Sequence, residues 1–430
     1  MNGNKKGLLG YAIYMLLMSI VSIFLLLYEA YTSLWHHRSS RWNRLFLATI
    51  PDKPILLVHA ASAGEVLAVE PLLHQLEEKY PQYALVISTG TKTGYALVQR
   101  FFPHLSVVYF PWDIPLVTKA WLRHISPRLI VMVETELWPH FLRTAACLQI
   151  PVVMVNGRIS KKTFCFLRHF PSFVRYILSS IQLFLMQSEH AAVYIKQLGA
   201  YEERIHITGN MKYDQTYGQV SPTYKKSLQQ QLGITDKHYP IWVVGSTHIG
   251  EHEHICNAFQ QVRHAFPQAK LIYVPRYINE VEKIIEMGRT WHIDFVKRSE
   301  GKPLVTDRPI IVDTMGELGQ LYSLADIVFV GGSLTPVGGH NVLEPASHGK
   351  PIIVGPHMEH FADVFASFQE QHAIITVANA KELAAACMYL AKHKQVAMDI
   401  GKTGLQIVQA NQGATEKTIR IIADLMRKEL

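Results

Sequence analysis

The sequence predicts an α/β protein of two doubly wound domains behind one N-terminal transmembrane helix, and three features of its 430 residues predict it. Short β-branched runs alternate with helical stretches in two successive series, a polar tract separates the series, and an uncharged apolar run opens the chain. Alternation of this kind means parallel strands with crossover helices on both faces of a sheet. Two units follow from the length, because a single hydrophobic core stops growing near about 250–300 residues.

The opening run, Gly7 to Tyr28, holds 22 residues without Asp, Glu, Lys or Arg. That is long enough to cross a bilayer core of about 30 Å. It exceeds the apolar region of a cleavable signal peptide, and Tyr28-Glu29-Ala30-Tyr31 is a poor cleavage site, so residues 1–35 read as an uncleaved membrane anchor. Lys5 and Lys6 precede it, whereas Arg38, Arg41, Arg44 and Lys53 follow it, a bias that places the bulk of the chain in the cytoplasm.

Residues 36–209 form the first expected domain, with strands at Ile55 to Ala60, Ala84 to Thr89, Ser106 to Phe110, Leu129 to Val133, Pro151 to Val155 and Ile181 to Gln187. Residues 210–240 are polar and suit a linker. Residues 241–430 form the second domain, with strands at Ile241 to Gly245, Lys270 to Val274, Pro309 to Val312, Asp326 to Val330, Pro351 to Val354 and Ala373 to Val377, followed by helical sequence from Lys381 onward. Ligands of such units are expected at the carboxyl ends of the strands.

Composition narrows the partners. Hydrophobic residues at 49% and charged residues at 18% exclude a disordered chain and favour large buried sheets. Lys and Arg total 42 against 34 Asp and Glu, and the net charge of +8 favours anionic partners such as a membrane surface or a phosphorylated substrate. No nucleic-acid-binding motif accompanies that charge, so nucleic acid is not an expected partner. The four cysteines, Cys147, Cys165, Cys256 and Cys387, form no C-x-x-C pair and read as reduced thiols.

The first chemical motif is Ala61-Ser62-Ala63-Gly64-Glu65-Val66, which leaves a strand and opens a helix. Free N–H groups at a helix start and the small Gly64 permit a ligand to approach closely, and Glu65 can then accept the proton of an attacking hydroxyl. The alternative is that Glu65 only complements the helix dipole. Glu134-Thr135-Glu136-Leu137-Trp138-Pro139 follows the strand Leu129 to Val133, and alternation puts Glu134 and Glu136 on one side if the strand persists. Such a pair suits a hard cation, but no further oxygen ligands lie nearby, so no metal is expected. Pairing with Arg158 is the structural alternative for these carboxylates. Lys212, in Thr208-Gly209-Asn210-Met211-Lys212-Tyr213-Asp214, stands at the edge of the first domain as a compact charge suited to phosphate.

In the second domain Gly245-Ser246-Thr247-His248 ends one strand and starts a helix, and Val274-Pro275-Arg276 ends the next. Backbone N–H groups near Ser246 and Thr247, together with the Arg276 guanidinium, suit an anionic group. His248, His252 and His254 are interleaved with Glu251 and Glu253, a pattern that reads as solvated helix surface. The most informative stretch is Gly331 to Ala346, where paired glycines follow a strand and Gly338-Gly339 precede Asn341-Val342-Leu343-Glu344. Its amides can approach a phosphate, and Glu344 can accept ribose hydroxyls. It is neither G-x-G-x-x-G nor a P-loop, which argues against a nicotinamide cofactor.

Taken as a set, SAGEV, ETELWP, NGRIS, TGNMKYD, GSTH, VPR, DTMGELG and GGSLTPVGGHNVLEPASHGKPIIVGP resemble, in order, the motifs of the Kdo transferases. These bacterial enzymes move 3-deoxy-manno-octulosonic acid from its CMP derivative onto the lipid A precursor. Ala63 stands where valine is usual and Gly157 where alanine is usual, while Tyr277 follows Pro275-Arg276; no chemical role depends on these departures. The resemblance implies a GT-B fold of two Rossmann-like domains, the first binding the phosphorylated lipid acceptor and the second CMP-Kdo. It also implies an inverting, metal-independent reaction without a cofactor, on the cytoplasmic face of the inner membrane. Glu65 is then the general base, with Ser62, Gly64 and Arg158 on the acceptor side, and Glu134 or Glu136 with Lys212 supports the transition state. The donor site takes Ser246, Thr247, Pro275, Arg276, Met315, Gly316, Glu317, Gly338, Gly339, Asn341, Val342, Leu343 and Glu344. The rival readings are a GT-B enzyme acting on a UDP-sugar and a non-catalytic membrane-bound sensor of nucleotide sugars.

Overall fold

The computed structural model describes residues 7–19, 51–215, 220–300 and 307–429, in two units. In the first, the β-branched runs become β1 (Ile55–His59), β2 (Ala84–Thr89), β3 (Ser106–Tyr109), β4 (Pro127–Val133), β5 (Val152–Gly157), β6 (Leu183–Met186) and β7 (Ile205–Ile207). They form one parallel sheet in the order β3-β2-β1-β4-β5-β6-β7. The direction of winding reverses between β1 and β4, so the loops at their carboxyl ends diverge and leave room for a ligand. β1 is buried along its whole length, as a strand covered on both faces must be. Successive side chains feed two cores: Leu57, Ile130 and Met132 pack with Trp121 and Phe141 on one face, and Leu56, Val58, Val131 and Val133 pack with Leu72 and Leu73 on the other.

Residues 411–430 belong to this first unit rather than the second, where the sequence reading had put them. The apolar stripe of the helix Ala414–Glu429 explains the placement: Ala414, Ile419, Ile422 and Met426 complete the core beside Leu72 and Met211. Asp214 ties the helix start down, its two carboxylate oxygens accepting the N–H of Gly413 at 2.6 Å and of Thr415 at 2.5 Å. The tract read as a linker also carries structure, the 3-10 helix Met211–Asp214 and the helix Pro222–Gln231.

The second unit, residues 216–410, repeats the plan with β8 (Ile241–Thr247), β9 (Lys270–Pro275), β10 (Val296–Lys297), β11 (Ile310–Ile311), β12 (Ile327–Val330), β13 (Ile352–Val354) and β14 (Ile374–Thr376). The parallel order is β10-β11-β9-β8-β12-β13-β14, which puts the reversal between β8 and β12. Trp242, Val244, Tyr273 and Phe329 fill the core on one face with Ile255 and Phe259.

The described part of the opening apolar run is a helix over residues 7–19. Gly7 and Gly10 let it lie against the helix Pro171–Leu178; a Cβ on Gly7 would come within 2.6 Å of the Ser172 carbonyl oxygen. On the same side the Tyr14 hydroxyl donates to Asp113 Oδ2 at 2.6 Å, and the Tyr11 hydroxyl lies 2.6 Å from His140 Nδ1. Leu8, Leu9, Ile13, Leu16 and Leu17 are exposed. Among the described residues no helix is long and apolar enough to cross a membrane. The rest of the expected span to Tyr28, with Arg38, Arg41 and Arg44, lies outside the described residues.

Candidate active site

In the first unit, the reversal between β1 and β4 gathers the predicted carboxylates. β1 ends at His59, and the chain turns through Ser62 into the helix Ala63–Ala68. Ser62 is the N-cap: its Oγ accepts the Glu65 N–H at 3.3 Å and donates to Glu65 Oε1 at 2.9 Å. The Ala61 N–H donates to Glu65 Oε2 at 2.8 Å. Ser62-Ala63-Gly64-Glu65 is therefore close to a capping box, displaced by one residue at its return bond. Those bonds favour the ionised carboxylate, but burial disfavours it more strongly, and the charges of Glu134 and Glu136 add to the effect, so the Glu65 pKa is raised to about 7. A carboxylate poised there suits general-base work at neutral pH. Gly64 is exposed, with only the Ser62 hydroxyl close to where a side chain would stand.

β4 stops at Val133, and Glu134 takes a left-handed backbone with φ 57° while its N–H donates to the Val155 carbonyl at 2.9 Å. The strand therefore does not persist through Glu136, and the condition under which alternation would put Glu134 and Glu136 on one side is not met. Glu136 Oε2 instead accepts the Trp138 indole N–H at 2.6 Å and lies 3.9 Å from His59 Nε2. His59 was not picked out from sequence. It is fully buried, its ring stacks on Phe110 with centroids 3.9 Å apart, and its Nδ1 lies 2.9 Å from Ser88 Oγ. Among the described residues its Nε2 has no hydrogen-bond partner. The available signal was a histidine at the end of an otherwise apolar strand, ILLVH.

Arg158 follows the last residue of β5 and is half-buried. Lys212 sits in the Met211–Asp214 turn, which contacts the helix of Glu65, and the Gln215 amide donates to the Leu67 carbonyl at 2.8 Å. Asn156, buried with φ 52°, accepts the Met211 N–H at 3.0 Å and so ties the end of β5 to the Lys212 segment.

In the second unit the predicted donor residues lie at the carboxyl ends of β8, β9, β11 and β12. Ser246 is left-handed with φ 56°, Thr247 is buried, and the Arg276 N–H donates to the Thr247 carbonyl at 3.0 Å, which joins the two strand ends. Pro275 closes β9 and is buried, whereas Arg276 is exposed. The helix does not start at His248: it spans His252–Ala265, with Glu251 as its N-cap. His248 Nε2 lies 2.7 Å from His340 Nε2, and the rings stack with centroids 5.0 Å apart. Burial first, then the Arg276 charge and the other histidines, holds His340 down at about 4. Met315 is exposed and Gly316, at φ 85°, faces open space. Glu317 is already engaged: Arg298 Nε donates to it at 3.0 Å and Thr314 Oγ1 at 3.0 Å. Gly338 and Gly339 are both left-handed, the first against His360 and the second against Met358. Asn341 Oδ1 accepts the Leu343 N–H at 3.0 Å, Val342 and Leu343 are fully buried, and the Glu344 pKa is raised by burial.

The structure departs from the sequence expectation at two places. Glu251 and His252 are not solvated helix surface: Glu251 is fully buried, and His252, 4% exposed, lies between the Tyr273 hydroxyl at 2.8 Å and Glu280 Oε2 at 3.2 Å. The amides of Gly332 and Ser333 are not waiting for a phosphate, because both donate to the Glu251 carboxylate.

The chain has a GT-B fold, two doubly wound units each carrying polar residues at the reversal of its sheet. Its fold is shared with UDP-GlcNAc 2-epimerase from Neisseria meningitidis bound to UDP-GlcNAc, at TM-score 0.58 and 13% identity over 86% of this chain and 100% of that one. The family profile described as 3-deoxy-D-manno-octulosonic-acid transferase (kdotransferase) matches residues 35–215. The 3-deoxy-D-manno-octulosonic acid transferase of Chlamydophila psittaci is 33% identical over 318 residues, 72% of this chain and 71% of that protein. The enzyme of the same name from Haemophilus influenzae is 29% identical over 386 residues, 89% and 90% of the two chains. The chain belongs to the 3-deoxy-D-manno-octulosonic acid transferase family and is a glycosyltransferase.

Proposed function

We propose that the chain transfers Kdo from CMP-Kdo to a phosphorylated lipid A precursor, with inversion at the anomeric carbon and without a metal or other cofactor. The observation that carries this reading is Glu65, a carboxylate with its pKa near 7 at the end of β1, in a family of sugar transferases. The acceptor hydroxyl oxygen bonds to the anomeric carbon as the bond from that carbon to the CMP phosphate oxygen breaks. The bonding pair leaves with CMP, and the hydroxyl proton passes to Glu65. Direct attack opposite the leaving phosphate inverts the configuration. Ser62, Gly64 and Arg158 serve the acceptor, and Glu134, Glu136 and Lys212 shape the charge around it. In the second unit Arg276 faces the phosphate, and the segments Met315–Glu317 and Asn341–Glu344 hold the nucleotide, Glu344 taking ribose hydroxyls.

The reading includes an anchor in the bacterial inner membrane with both units on the cytoplasmic face. Its support is the uncharged run Gly7 to Tyr28, the exposed leucines of the helix over residues 7–19, and a net charge of +8 suited to an anionic leaflet. The test is mass analysis of the lipid made by purified protein from CMP-Kdo and the tetra-acylated, bis-phosphorylated lipid A precursor. A mass gain of one or more Kdo residues is expected. A product without Kdo overturns the reading.

A further inference from the structure

Glu251 carries no role in the transfer just described, yet its carboxylate accepts four backbone N–H groups. Its Oε2 accepts the N–H of His248 at 2.9 Å and of Gly332 at 2.7 Å. Its Oε1 accepts the N–H of Ser333 at 2.9 Å and of Leu334 at 2.8 Å. The side chain is fully buried, and among the described residues it forms no salt bridge. Four backbone donors thus stand in for both solvent and a counter-cation. One donor belongs to the loop after β8 and three to the loop after β12, the two strands that flank the reversal of the sheet.

The glycine loop held in this way fixes what surrounds it. Gly332, at φ 67°, brings its backbone against the ring of His340, where a Cβ would lie 2.9 Å from Cδ2, and 3.5 Å from His248. Its carbonyl accepts the Gly339 N–H at 2.7 Å, which sets the turn leading to Asn341. Ser333 Oγ donates to the Val330 carbonyl at 2.6 Å and accepts the Gly355 N–H at 2.8 Å.

We propose that Glu251 is a positioning residue: an internal anion that fills the amide cradle of the Gly331–Leu334 loop and sets the donor-binding ends of β8 and β12 before the nucleotide arrives. The proposal rests on the donor reading above. It implies that the donor phosphate is bound by other groups, because the amides of Gly332, Ser333 and Leu334 are already taken.

Glu251→Gln is the sharp variant, since its amide nitrogen must turn toward two backbone N–H donors, whereas Glu251→Asp keeps the charge but shortens the reach. The full chain in detergent is measured by calorimetry with CMP alone and by turnover with CMP-Kdo. A loss of two buried charge-assisted bonds is expected to raise the Kd for CMP and the KM for CMP-Kdo about 10-fold or more in Glu251→Gln, with kcat at saturating donor changed about threefold at most. Glu251→Asp is expected to fall between that variant and the parent. A strut without influence on the donor site lowers the melting temperature but leaves the CMP affinity of the folded protein unchanged, and that result in either variant overturns the proposal. If Glu251→Gln does not fold, Glu251→Asp decides alone on the same criterion. A parent protein that fails to bind CMP sinks the donor reading and the Glu251 proposal with it, whereas parent and variants binding CMP equally sink the proposal only.

Discussion

Glu65 and Glu251 occupy corresponding places in the two units. Each follows the first strand of its sheet, each stands beside the reversal of winding, and each lies at the start of the next helix. Their surroundings differ in one respect that matters chemically. Glu65 receives one backbone N–H and one hydroxyl and feels the charges of Glu134 and Glu136. Glu251 receives four backbone N–H groups, three of them from a loop some eighty residues away in sequence. Donors stabilise the charged form of a carboxylate, while burial and neighbouring anions disfavour it. With burial, few donors and like charges nearby, Glu65 exchanges its proton near neutrality, whereas the four donors to Glu251 hold its carboxylate in place between two loops. On the roles proposed above, the same strand–turn–helix unit yields a base in one unit and a brace in the other.

The largest effect that sharpens this contrast is expected from Glu65→Gln. Losing a general base costs about 10²–10⁴-fold in rate, so turnover should fall by roughly that factor while CMP affinity, measured by calorimetry, stays at the parent value. This is the reverse of the pattern expected for Glu251→Gln. A Glu65→Gln protein that keeps more than about a tenth of parental turnover would remove Glu65 from the base role and dissolve the distinction. The next effect is on pH. The base must be ionised, and burial holds Glu65 near 7, so log kcat/KM should rise with unit slope below about 7 and flatten above it. A plateau already reached at pH 5 would mean that Glu65 titrates like an exposed carboxylate.

Much of this was legible in the sequence where the physics is local. β1, β2, β4, β8, β9 and β12 are β-branched runs long enough to be seen, because strands covered on both faces must be apolar throughout. Glu65 was visible because Ser62 and Gly64 mark a helix start. β7 and β10 escaped notice because three and two residues carry no periodicity. Helical sequence after Lys381 was recognised, but an amphipathic stripe does not say which core it joins, and Ala414–Glu429 returned to the first unit. Glu251 and His252 looked solvated because charged residues alternate around them, whereas their burial is imposed by the distant Gly332–Leu334 loop and by Tyr273 and Glu280. The left-handed backbone of Glu134, which ends the strand alternation, is likewise set by its bond to Val155 on the neighbouring strand.

The smallest effect probes the donor count itself. The Ser62 hydroxyl donates to Glu65 Oε1 and favours the ionised form, and the Ala61 N–H is the other bond that does so. Ser62→Ala removes one of these two donors and leaves burial and the Glu134 and Glu136 charges in place. The midpoint of the pH–rate profile should therefore move upward from about 7, by roughly one unit or less, as suits the loss of a single partly exposed hydrogen bond. The helix Ala63–Ala68 also loses its N-cap, and a stability decrease of about 1 kcal/mol in urea unfolding is expected alongside. The two readouts separate the roles of the serine: stability reports the cap, and the midpoint reports the donor. A midpoint that stays fixed or moves downward would mean that burial and the neighbouring charges alone set the Glu65 midpoint, with the number of donors playing no part.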